Sequence, residues 1–484
     1  MKTRTTLLLA VLLLTAASAL AHSGKARFHL IVDTDGAADD LRTLCMLLGN
    51  REAEVLAVTA CEGALTPHEA AERAAALLAA LRHEGIPVGE GRSVGAPEPP
   101  WRARSRQIDW GPAPDPGREY PPAAELLAAA LRGEEERVVL VALGALTNPA
   151  DLLQRHPELA GRIERIVWYD SAANPPSGAN CRTDPASARC VLASGVPVEI
   201  VAASPAAPAA VTEALLDTLA RIATPHARRI VQTHRAAPLS RLVAARHLQL
   251  WDDLAALRLY APELFTEERA GSVCRCTLAG AEAAQRVPGT IAAILRGKPD
   301  AESRVFYGFP TGCGLYAADV APIVDEAIAR HGASEWRAAV LTNELHGHLG
   351  IYATIGVKMG IRAREYFDIG VDDIEVTTWA GSRPPVSCMN DGLQVGTGAT
   401  VGHGLITVAE VDRPKPEAEF RFKGKTLRLT LKPEYAERIR QDVQRGIARY
   451  GDLTEPYWQY VRELALRYWL DFDRHEIFDM QTGG

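Results

Sequence analysis

Four aspartates lie close together near the start of the chain, in the segment IVDTDGAADD. They are Asp33, Asp35, Asp39 and Asp40. Carboxylates this close repel one another unless a cation lies among them. Carboxylate oxygens are hard ligands, which suit Ca²⁺ or Mg²⁺ and not Zn²⁺. The segment therefore predicts a site for a hard divalent cation. The alternative is that Asp39 caps a helix and the other three are solvated turn residues.

The elements on either side of these acids are predicted to hold them at one edge of a sheet. The apolar run from Phe28 to Val32 is typical of a buried strand. Asp33 and Asp35 follow it two positions apart, so their side chains can point the same way. Asp39 and Asp40 open a predicted helix, where the helix dipole favours negative charge. Ligands bind at the carboxyl edge of open parallel sheets, so we expect a binding site here.

The first part of the chain alternates apolar strands with helical patterns, which predicts an α/β fold with a mostly parallel sheet and flanking helices. The further predicted strands are Val55–Ala60, one starting at Ile86–Val88, Val138–Leu143, Ile166–Tyr169 and Val196–Ala202. One insertion, 95–122, is rich in Pro and Gly and carries Trp101 and Trp110. Long loops of this kind are either functional lids or surface decoration.

The second part of the chain predicts a smaller α+β domain. Its predicted elements are a helix over Val340–Phe367, strands over Asp373–Trp379 and Leu405–Val408, a hairpin between Phe420 and Leu431, and two closing helices. The resulting domain prediction is a signal peptide over 1–21, an α/β domain over 27–332 and an α+β domain over 335–480.

Composition limits the classes of partner. The chain has 484 residues, of which 47% are apolar and 23% charged, as expected of a globular protein with more than one domain. Its net charge of −7 offers no basic excess for nucleic acid. We therefore expect a small-molecule partner and no nucleic acid. Whether the protein forms a homo-oligomer is left open.

The N-terminus has the pattern of a signal peptide. Lys2 and Arg4 precede an apolar stretch over Leu7–Leu14, and Ala19 and Ala21 form an A-x-A cleavage signal. The pattern predicts cleavage after Ala21 and export, to the periplasm or the medium. No later segment is apolar for long enough to span a membrane.

Three further segments, together with the acidic motif, resemble the nucleoside hydrolases that prefer inosine and uridine. They are GALTNPADLLQRHPELAGRIERIV (144–167), NCRTDPASA (180–188) and LWDDLAAL (250–257). Their order and spacing are similar to those of the family from about Phe28 to His331. The resemblance implies the family's α/β fold and the hydrolysis of N-glycosidic bonds.

Residue by residue, the resemblance assigns roles to matching positions. The implied Ca²⁺ ligands are Asp33, Asp35, Asp40, Asp252 and the backbone carbonyl of Thr147. Asp35 also matches the acid that holds and deprotonates the attacking water. Asp39 and Asn180 match residues that contact the sugar hydroxyls.

The chain departs from the family at several positions around the sugar and the leaving group. Gly36 replaces a Pro, Gly63-Ala64 a Gly-Asn pair, Gly178 an acidic sugar ligand, Tyr169-Asp170-Ser171 a Met-Gly-Gly end, and Trp251 a His. Trp251 either stacks on a planar leaving group or fills core space. Because the metal acids are retained, we expect an exported Ca²⁺-dependent hydrolase with a shifted substrate. The alternative is a non-catalytic binding or sensor protein for a ribosylated ligand, a metal or a pterin-like cofactor.

A second set of chemically active side chains lies in the smaller domain: His346, His348, Cys388, Asp391 and His403. Imidazole and thiolate suit Zn²⁺, Cu²⁺ or another transition metal. The segments resemble the FmdE family, which takes its name from formylmethanofuran dehydrogenase, although Gly350 and Ala399 replace two of its Cys. We predict that His346, His348 and Cys388 converge on one pocket with His403 and Asp391 in or near its wall. The alternative is that each is a hydrogen-bonded structural residue.

Overall fold

A computed structural model describes residues 26–113, 117–171, 176–204, 209–297, 305–306, 308–371 and 374–483. The predicted signal peptide, 1–21, lies outside these residues. The chain divides into two compact units, one formed by Ala26–Ala301 with Tyr366–Asp368 and the other by Glu302–Glu365 with Ile369–Gly484. None of the helices in the described ranges is long and apolar enough to cross a membrane.

The larger unit is built on a mostly parallel sheet, as predicted. Its strands are β1 (Phe28–Thr34), β2 (Ala53–Ala60), β3 (Val88–Glu90), β4 (Val138–Ala142), β5 (Ile163–Tyr169), β6 (Val198–Ala202), β7 (Phe265–Ala270) and β8 (Val273–Leu278). Within the described residues the strand order is β3-β2-β1-β4-β5-β6-β8-β7, and β7 alone runs antiparallel to its neighbour. Every residue of the central strand β1 is buried, because helices cover both faces of the sheet.

The helices of this unit alternate with its strands. They are α1 (Ala38–Leu48), α2 (Pro67–Ala80), α3 (Arg102–Ser105), α4 (Ala123–Gly133), α5 (Thr147–Arg155), α6 (Ala179–Thr183), α7 (Pro185–Ala193), α8 (Glu213–Ala220), α9 (Pro225–Arg235), α10 (Leu239–Ala244), α11 (Asp253–Tyr260) and α12 (Gly280–Arg296). Two apolar clusters pack on the two faces of the sheet, one containing Leu30 and Val32 and the other Ile31. The alternation of side chains along β1 produces this division.

The antiparallel pair β7–β8 has no counterpart in the sequence prediction. In β8 the buried residues Cys274, Cys276 and Leu278 alternate with partly exposed ones. In β7 every residue after Phe265 is exposed. Charged residues protect such an edge strand from pairing with other chains, and they also hide its strand character in the sequence.

The described parts of the insertion are 95–113 and 117–122, and the first of them is attached to the domain. Trp110 is fully buried, whereas Trp101 is 39% exposed. Arg73 of α2 donates hydrogen bonds to the carbonyls of Ile108 and Arg106. The buried Trp110 side chain and the Arg73 hydrogen bonds therefore hold this part of the insertion against the domain.

The smaller unit is α+β, as predicted. Its helices are α13 (Val324–His331), α14 (Ala333–His346), α15 (Ile351–Phe367), α16 (Met389–Thr397), α17 (Pro433–Tyr450) and α18 (Glu455–Asp471). Its strands are β9 (Glu375–Thr378), β10 (Ile406–Val408), β11 (Glu417–Phe422), β12 (Lys425–Leu431) and β13 (Phe478–Gly483). In the described residues the strand order is β10-β9-β11-β12-β13, with β9 and β10 parallel and the other pairs antiparallel.

Two predictions for this unit were wrong. The single helix expected over Val340–Phe367 is two helices, because Gly347 ends α14 with a φ of 77° and the chain turns before α15. The Asn343 side chain stabilises this turn by accepting a hydrogen bond from the Gly350 amide at 2.8 Å. In addition, the chain does not close with helices, since β13 follows them and pairs with β12.

Candidate active site

Four buried acids lie where β1 ends, α1 begins and α11 begins. Asp33 lies in β1, Asp39 and Asp40 lie in the first turn of α1, and Asp252 is the N-cap residue of α11. Ligand atoms of Asp39, Asp40 and Asp252 all lie within 4.8 Å of one another. These three residues are buried. The tertiary structure thus joins an acid from late in the domain to the N-terminal motif.

Asp33 is held by two neutral donors. Its Oδ1 accepts hydrogen bonds from the Thr59 hydroxyl at 2.6 Å and from the Asn148 amide at 2.7 Å. Its Oδ2 is buried and has no hydrogen-bond partner among the described residues. One lone-pair face of this carboxylate is therefore left for another ligand.

Asp40 repeats this arrangement. Its Oδ2 accepts hydrogen bonds from the Thr34 hydroxyl at 2.7 Å and from the Asp35 amide at 2.8 Å. Within the described ranges, Oδ1 of Asp40 and Oδ1 of Asp252 are both buried without a hydrogen-bond partner. Buried polar atoms normally have partners, so these three unsatisfied oxygens at one edge of the sheet need an explanation.

The raised pKa values of these acids also indicate that a cation is needed among them. Burial raises the pKa of Asp33 to about 7, against hydrogen bonds that lower it. Burial raises the pKa of Asp40 to about 6, with repulsion from Asp39 adding to the effect. Burial, followed by repulsion from Asp40 and Asp39, raises the pKa of Asp252 well above its ordinary value. A cation among these groups would remove the cause of the rise.

The donor set fits a hard divalent cation. Asp33, Asp40 and Asp252 each contribute an unsatisfied carboxylate oxygen, and oxygen ligands of this kind suit Ca²⁺ or Mg²⁺. Thr147 begins α5, the helix that follows β4, and β4 is the strand that pairs with β1 at Asp33. The Thr147 hydroxyl donates to Asp184 at 2.9 Å, so this side chain is already engaged.

Asp35 lies beside the group and is surrounded by backbone. Burial raises its pKa well above the ordinary value, and repulsion from Asp40 adds to this, while hydrogen bonds from the Ala64 and Ala37 amides and the charge of Arg102 act in the opposite direction. A Cβ on Gly63 would lie 2.0 Å from the Asp35 Oδ2. Only glycine allows the backbone to approach the carboxyl group this closely.

The residues predicted to contact the sugar and the leaving group lie at the same edge of the sheet. Asn180 donates hydrogen bonds from Nδ2 to the carbonyls of Leu143, the residue after β4, and Tyr169, the last residue of β5, at 2.6 and 3.0 Å. Asp39 is in the acidic group itself. Trp251 is 46% exposed, so it does not fill core space as one alternative supposed.

Sequence reasoning missed a buried network behind the acids. Arg42 donates from Nε and Nη2 to the two carboxylate oxygens of Asp253, at 2.7 and 2.6 Å. Its Nη1 lies 2.9 Å from His234 Nε2, and the other ring nitrogen lies 2.8 Å from the Ile230 carbonyl. His234 is therefore neutral, with the proton on Nδ1. The signal that could have revealed the network is the second acid in LWDDLAAL and an Arg in an otherwise apolar helix.

The side chains of the predicted second site are only partly gathered. His346 Nδ1 lies 2.7 Å from Asp391 Oδ2, and the His346 and His348 rings lie 4.3 Å apart between centroids. His403 donates from Nδ1 to the Gly398 carbonyl at 2.9 Å. Among the described residues, two groups of three or more His, Cys, Asp or Glu have all their ligand atoms within 4.8 Å. They are Asp39, Asp40 and Asp252, and His29, Glu54 and Glu134, so neither includes His346, His348, Cys388 or His403.

The larger unit is an α/β domain whose mostly parallel sheet carries buried acids and a close-packed glycine turn at its carboxyl edge, the place where ligands bind in open α/β folds. Residues 30–302 match the inosine-uridine preferring nucleoside hydrolase family. The chain belongs to this family and is thereby placed among hydrolases acting on N-glycosyl compounds. Residues 345–479 match the family described as FmdE, molybdenum formylmethanofuran dehydrogenase operon. The predicted fusion of these two families is confirmed.

Named relatives are similar to part of the chain. A pyrimidine-specific ribonucleoside hydrolase RihA of Klebsiella pneumoniae strain 342 is 30% identical over 49% of this chain and 81% of its own length. A protein of the same name from Klebsiella pneumoniae subsp. pneumoniae is 34% identical over 35% of this chain and 58% of its own length. Among solved structures, the purine-preferring ribonucleoside hydrolase of Gardnerella vaginalis has a TM-score of 0.46 at 19% identity, covering 55% of this chain and 99% of that one.

Proposed function

We propose that the larger unit is a Ca²⁺-dependent hydrolase that cleaves the N-glycosidic bond of nucleosides or related ribosylated compounds. The observation that carries this proposal is the set of buried carboxylate oxygens on Asp33, Asp40 and Asp252 that have no hydrogen-bond partner within the described residues. When bound, the cation would polarise a water molecule and hold vicinal sugar hydroxyls. Its ligands are proposed to be Asp33, Asp35, Asp40, Asp252 and the Thr147 carbonyl.

The chain's own residues would then divide the work. Asp35 accepts the proton of the attacking water, and the Ala37 amide, which donates to its Oδ1 at 3.1 Å, orients its carboxylate. Asp39 and Asn180 position the sugar as the bond to the base breaks and the anomeric carbon becomes oxocarbenium-like. Trp251, which is partly exposed, offers an apolar ring face to a planar leaving group.

Release of the free base tests the activity. Because the RihA relatives are named pyrimidine-specific, uridine and cytidine are the first substrates, followed by inosine and ribosylated cofactors. We expect base release that stops with a Ca²⁺ chelator and returns with added Ca²⁺. Asp35→Asn should lose roughly 10² to 10⁴-fold in rate, while the exposed control Asp217→Asn should not. A protein that binds nucleosides but releases no base from any of them would favour the non-catalytic alternative.

For the smaller unit we propose a transition-metal site centred on His346. Asp391 fixes one ring nitrogen, and the other, Nε2, is buried without a hydrogen-bond partner in the described structure. Metal-binding imidazoles commonly donate their second nitrogen to a carboxylate in this way. His348 lies beside it and also lines a cavity of about 640 Å³ with Leu349 and Trp458. Burial and the charge of Asp391 raise the pKa of Cys388.

Metal analysis tests this second site. We expect the purified protein to carry Zn²⁺, Cu²⁺ or another transition metal that is lost in His346→Ala and retained in His403→Ala, whose ring is bonded to a backbone carbonyl. Equal metal content in both variants would contradict the site.

Export is proposed from residues 1–21, and cell fractionation with N-terminal sequencing of the mature protein would test cleavage after Ala21.

A further inference from the structure

The turn that follows β2 wraps around the Asp35 carboxyl group. Gly63 lies against it so closely that a Cβ would come within 2.0 Å of Oδ2. The Leu65 amide donates to the Asp35 carbonyl at 3.1 Å, and the Gly63 amide donates to the Leu65 carbonyl at 3.1 Å. The Ala64 N–H is close enough to the Asp35 carboxyl group to act to lower its pKa, against the larger effect of burial. The direction of one backbone N–H therefore helps to orient this side chain.

Arg102 binds the other side of the same turn. Its Nη2 donates to the Gly63 carbonyl at 2.8 Å, and its Nε donates to the Ala64 carbonyl at 3.3 Å. The Gly63 carbonyl and the Ala64 N–H belong to one planar peptide unit and point in opposite directions. A donor that fixes the carbonyl therefore also fixes the N–H that faces Asp35. Such a chain of hydrogen bonds is strengthened by its charged end.

Arg102 comes from the insertion, and Glu62 holds it in place. It belongs to α3, it is 5% exposed, and its Nη2 lies 3.8 Å from Glu62 Oε1. The second oxygen, Glu62 Oε2, accepts hydrogen bonds from the Val94 amide at 2.6 Å and the Ser93 hydroxyl at 2.8 Å, at the entrance to the insertion. Glu62 thus offsets the charge of the guanidinium and fixes the segment that carries it.

We propose that Arg102 is a positioning residue for hydrolysis, which holds the Gly63–Ala64 peptide so that its N–H faces the Asp35 carboxylate. The expected effect on the rate of hydrolysis rests on the proposed function, whereas the expected effect on the orientation of the Gly63–Ala64 peptide does not. In this arrangement the insertion contributes to the reaction through the backbone, without contacting the substrate.

Hydrogen exchange and kinetics on the full chain separate the two consequences. In Arg102→Gln we expect the Ala64 amide to exchange at least about tenfold faster, because about 1.4 kcal/mol of lost protection corresponds to that factor. We expect kcat to fall by roughly 10 to 100-fold with KM nearly unchanged, since a small misplacement of a reacting group can cost that much. Arg102→Lys, which keeps a charged donor, should recover part of both effects. The matched control is Arg104→Gln, on the exposed side of the same helix, and it should change neither quantity.

A double-mutant cycle sharpens the assignment. Once Asp35 is replaced by Asn, adding Arg102→Gln should cost little further rate, because the residue that Arg102 positions is already disabled. Unchanged Ala64 exchange in both Arg102 variants would overturn the proposal, and so would fully additive rate losses. If the wild type hydrolyses nothing, the proposed function fails, yet the exchange experiment still decides the geometry. If Arg102→Gln does not fold, Arg102→Lys carries the same comparisons.

Discussion

At the scale of single residues, the acidic edge combines groups that are satisfied and groups that are not. Asp33 and Asp40 each use one carboxylate oxygen for hydrogen bonds inside the domain. In the described structure each leaves the other oxygen buried and without a partner. An unsatisfied buried polar atom costs about 1–3 kcal/mol and more when it is charged. This arrangement destabilises the metal-free fold, whereas a bound cation would give the unsatisfied oxygens a partner.

Replacing Asp40 by Asn should therefore have opposite effects with and without Ca²⁺. Asn keeps an oxygen for the Thr34 and Asp35 donors but removes a charge that repels Asp39 and Asp252. We expect Ca²⁺ affinity, measured by calorimetry, to fall at least about tenfold because one charged ligand is lost. We expect the metal-free variant to unfold at a higher temperature than the metal-free wild type. Unchanged Ca²⁺ affinity would contradict the proposed site.

His234 predicts a pH dependence of stability in the larger unit. Burial, with the charge of Arg42 adding to the effect, lowers the pKa of His234 to about 3. The unfolded chain binds this proton below about pH 6.5 and the folded chain does not, so stability is lost as the pH falls from 6.5 towards 3. From pH 7.5 to 5.0 the loss from this group is about 2 kcal/mol.

His234→Gln isolates this contribution. Its amide oxygen can still accept from Arg42, and it does not titrate. We measure the free energy of unfolding of both proteins by chemical denaturation. Between pH 7.5 and 5.0 we expect the value for the variant to rise by about 2 kcal/mol relative to that of the wild type. The exposed His247→Gln should show no such shift. A gap that does not change with pH would show that His234 is not buried in its neutral form.

At the scale of elements, α15 and α16 of the smaller unit approach each other through glycines. A Cβ on Gly392 would lie 2.0 Å from the Ala353 carbonyl, and one on Gly356 would lie 2.1 Å from the Met389 carbonyl. The two backbones are thus in direct contact where the glycines lie. Asp391, which pairs with His346, is next to Gly392 on α16. The close packing of the helices therefore supports the His346–Asp391 pair.

Gly392→Ala should destabilise the smaller unit although alanine favours helices. The gain in helix propensity is about 1 kcal/mol, and overpacking typically costs about 1–3 kcal/mol or, against a rigid backbone, more. We expect a lower unfolding temperature and weaker metal retention at His346. Gly402→Ala, where the nearest atom would be 3.7 Å away, is the control and should be close to neutral. Equal unfolding temperatures for the two variants would argue against the contact.

At the scale of the whole molecule, two units with different donor sets predict two separable metal responses. Oxygen ligands dominate the site in the larger unit, whereas imidazole and thiol groups dominate the candidates in the smaller one. In calorimetry of the full chain, Ca²⁺ at about 100 times its Kd should stabilise one transition by about 2.7 kcal/mol. We expect Zn²⁺ to act on the other transition. Asp40→Asn should abolish the first response and His346→Ala the second, and a single transition that responds to both ions would refute this division.

The sequence by itself determined the local parts of this protein. The apolar run of β1, the repeated strand and helix patterns and the spacing of Asp33, Asp35, Asp39 and Asp40 depend on periodicity over a few residues. Such patterns are sufficient to predict the class of sheet and to place the acids at its carboxyl edge. The sequence did not predict the edge strand β7, because its exposed, charged residues have no apolar pattern. It also did not predict the break at Gly347, because a single left-handed residue ended a helical pattern.

Only the tertiary structure decided which distant groups meet. Arg42 and Asp253 are 211 positions apart, and their ion pair joins α1 to α11, the two helices that present Asp40 and Asp252. Arg102 likewise reaches the Gly63 carbonyl from an insertion that has no regular pattern. The physical reason is that these contacts arise from packing and from the need to satisfy buried polar groups, and neither has a fixed separation in sequence.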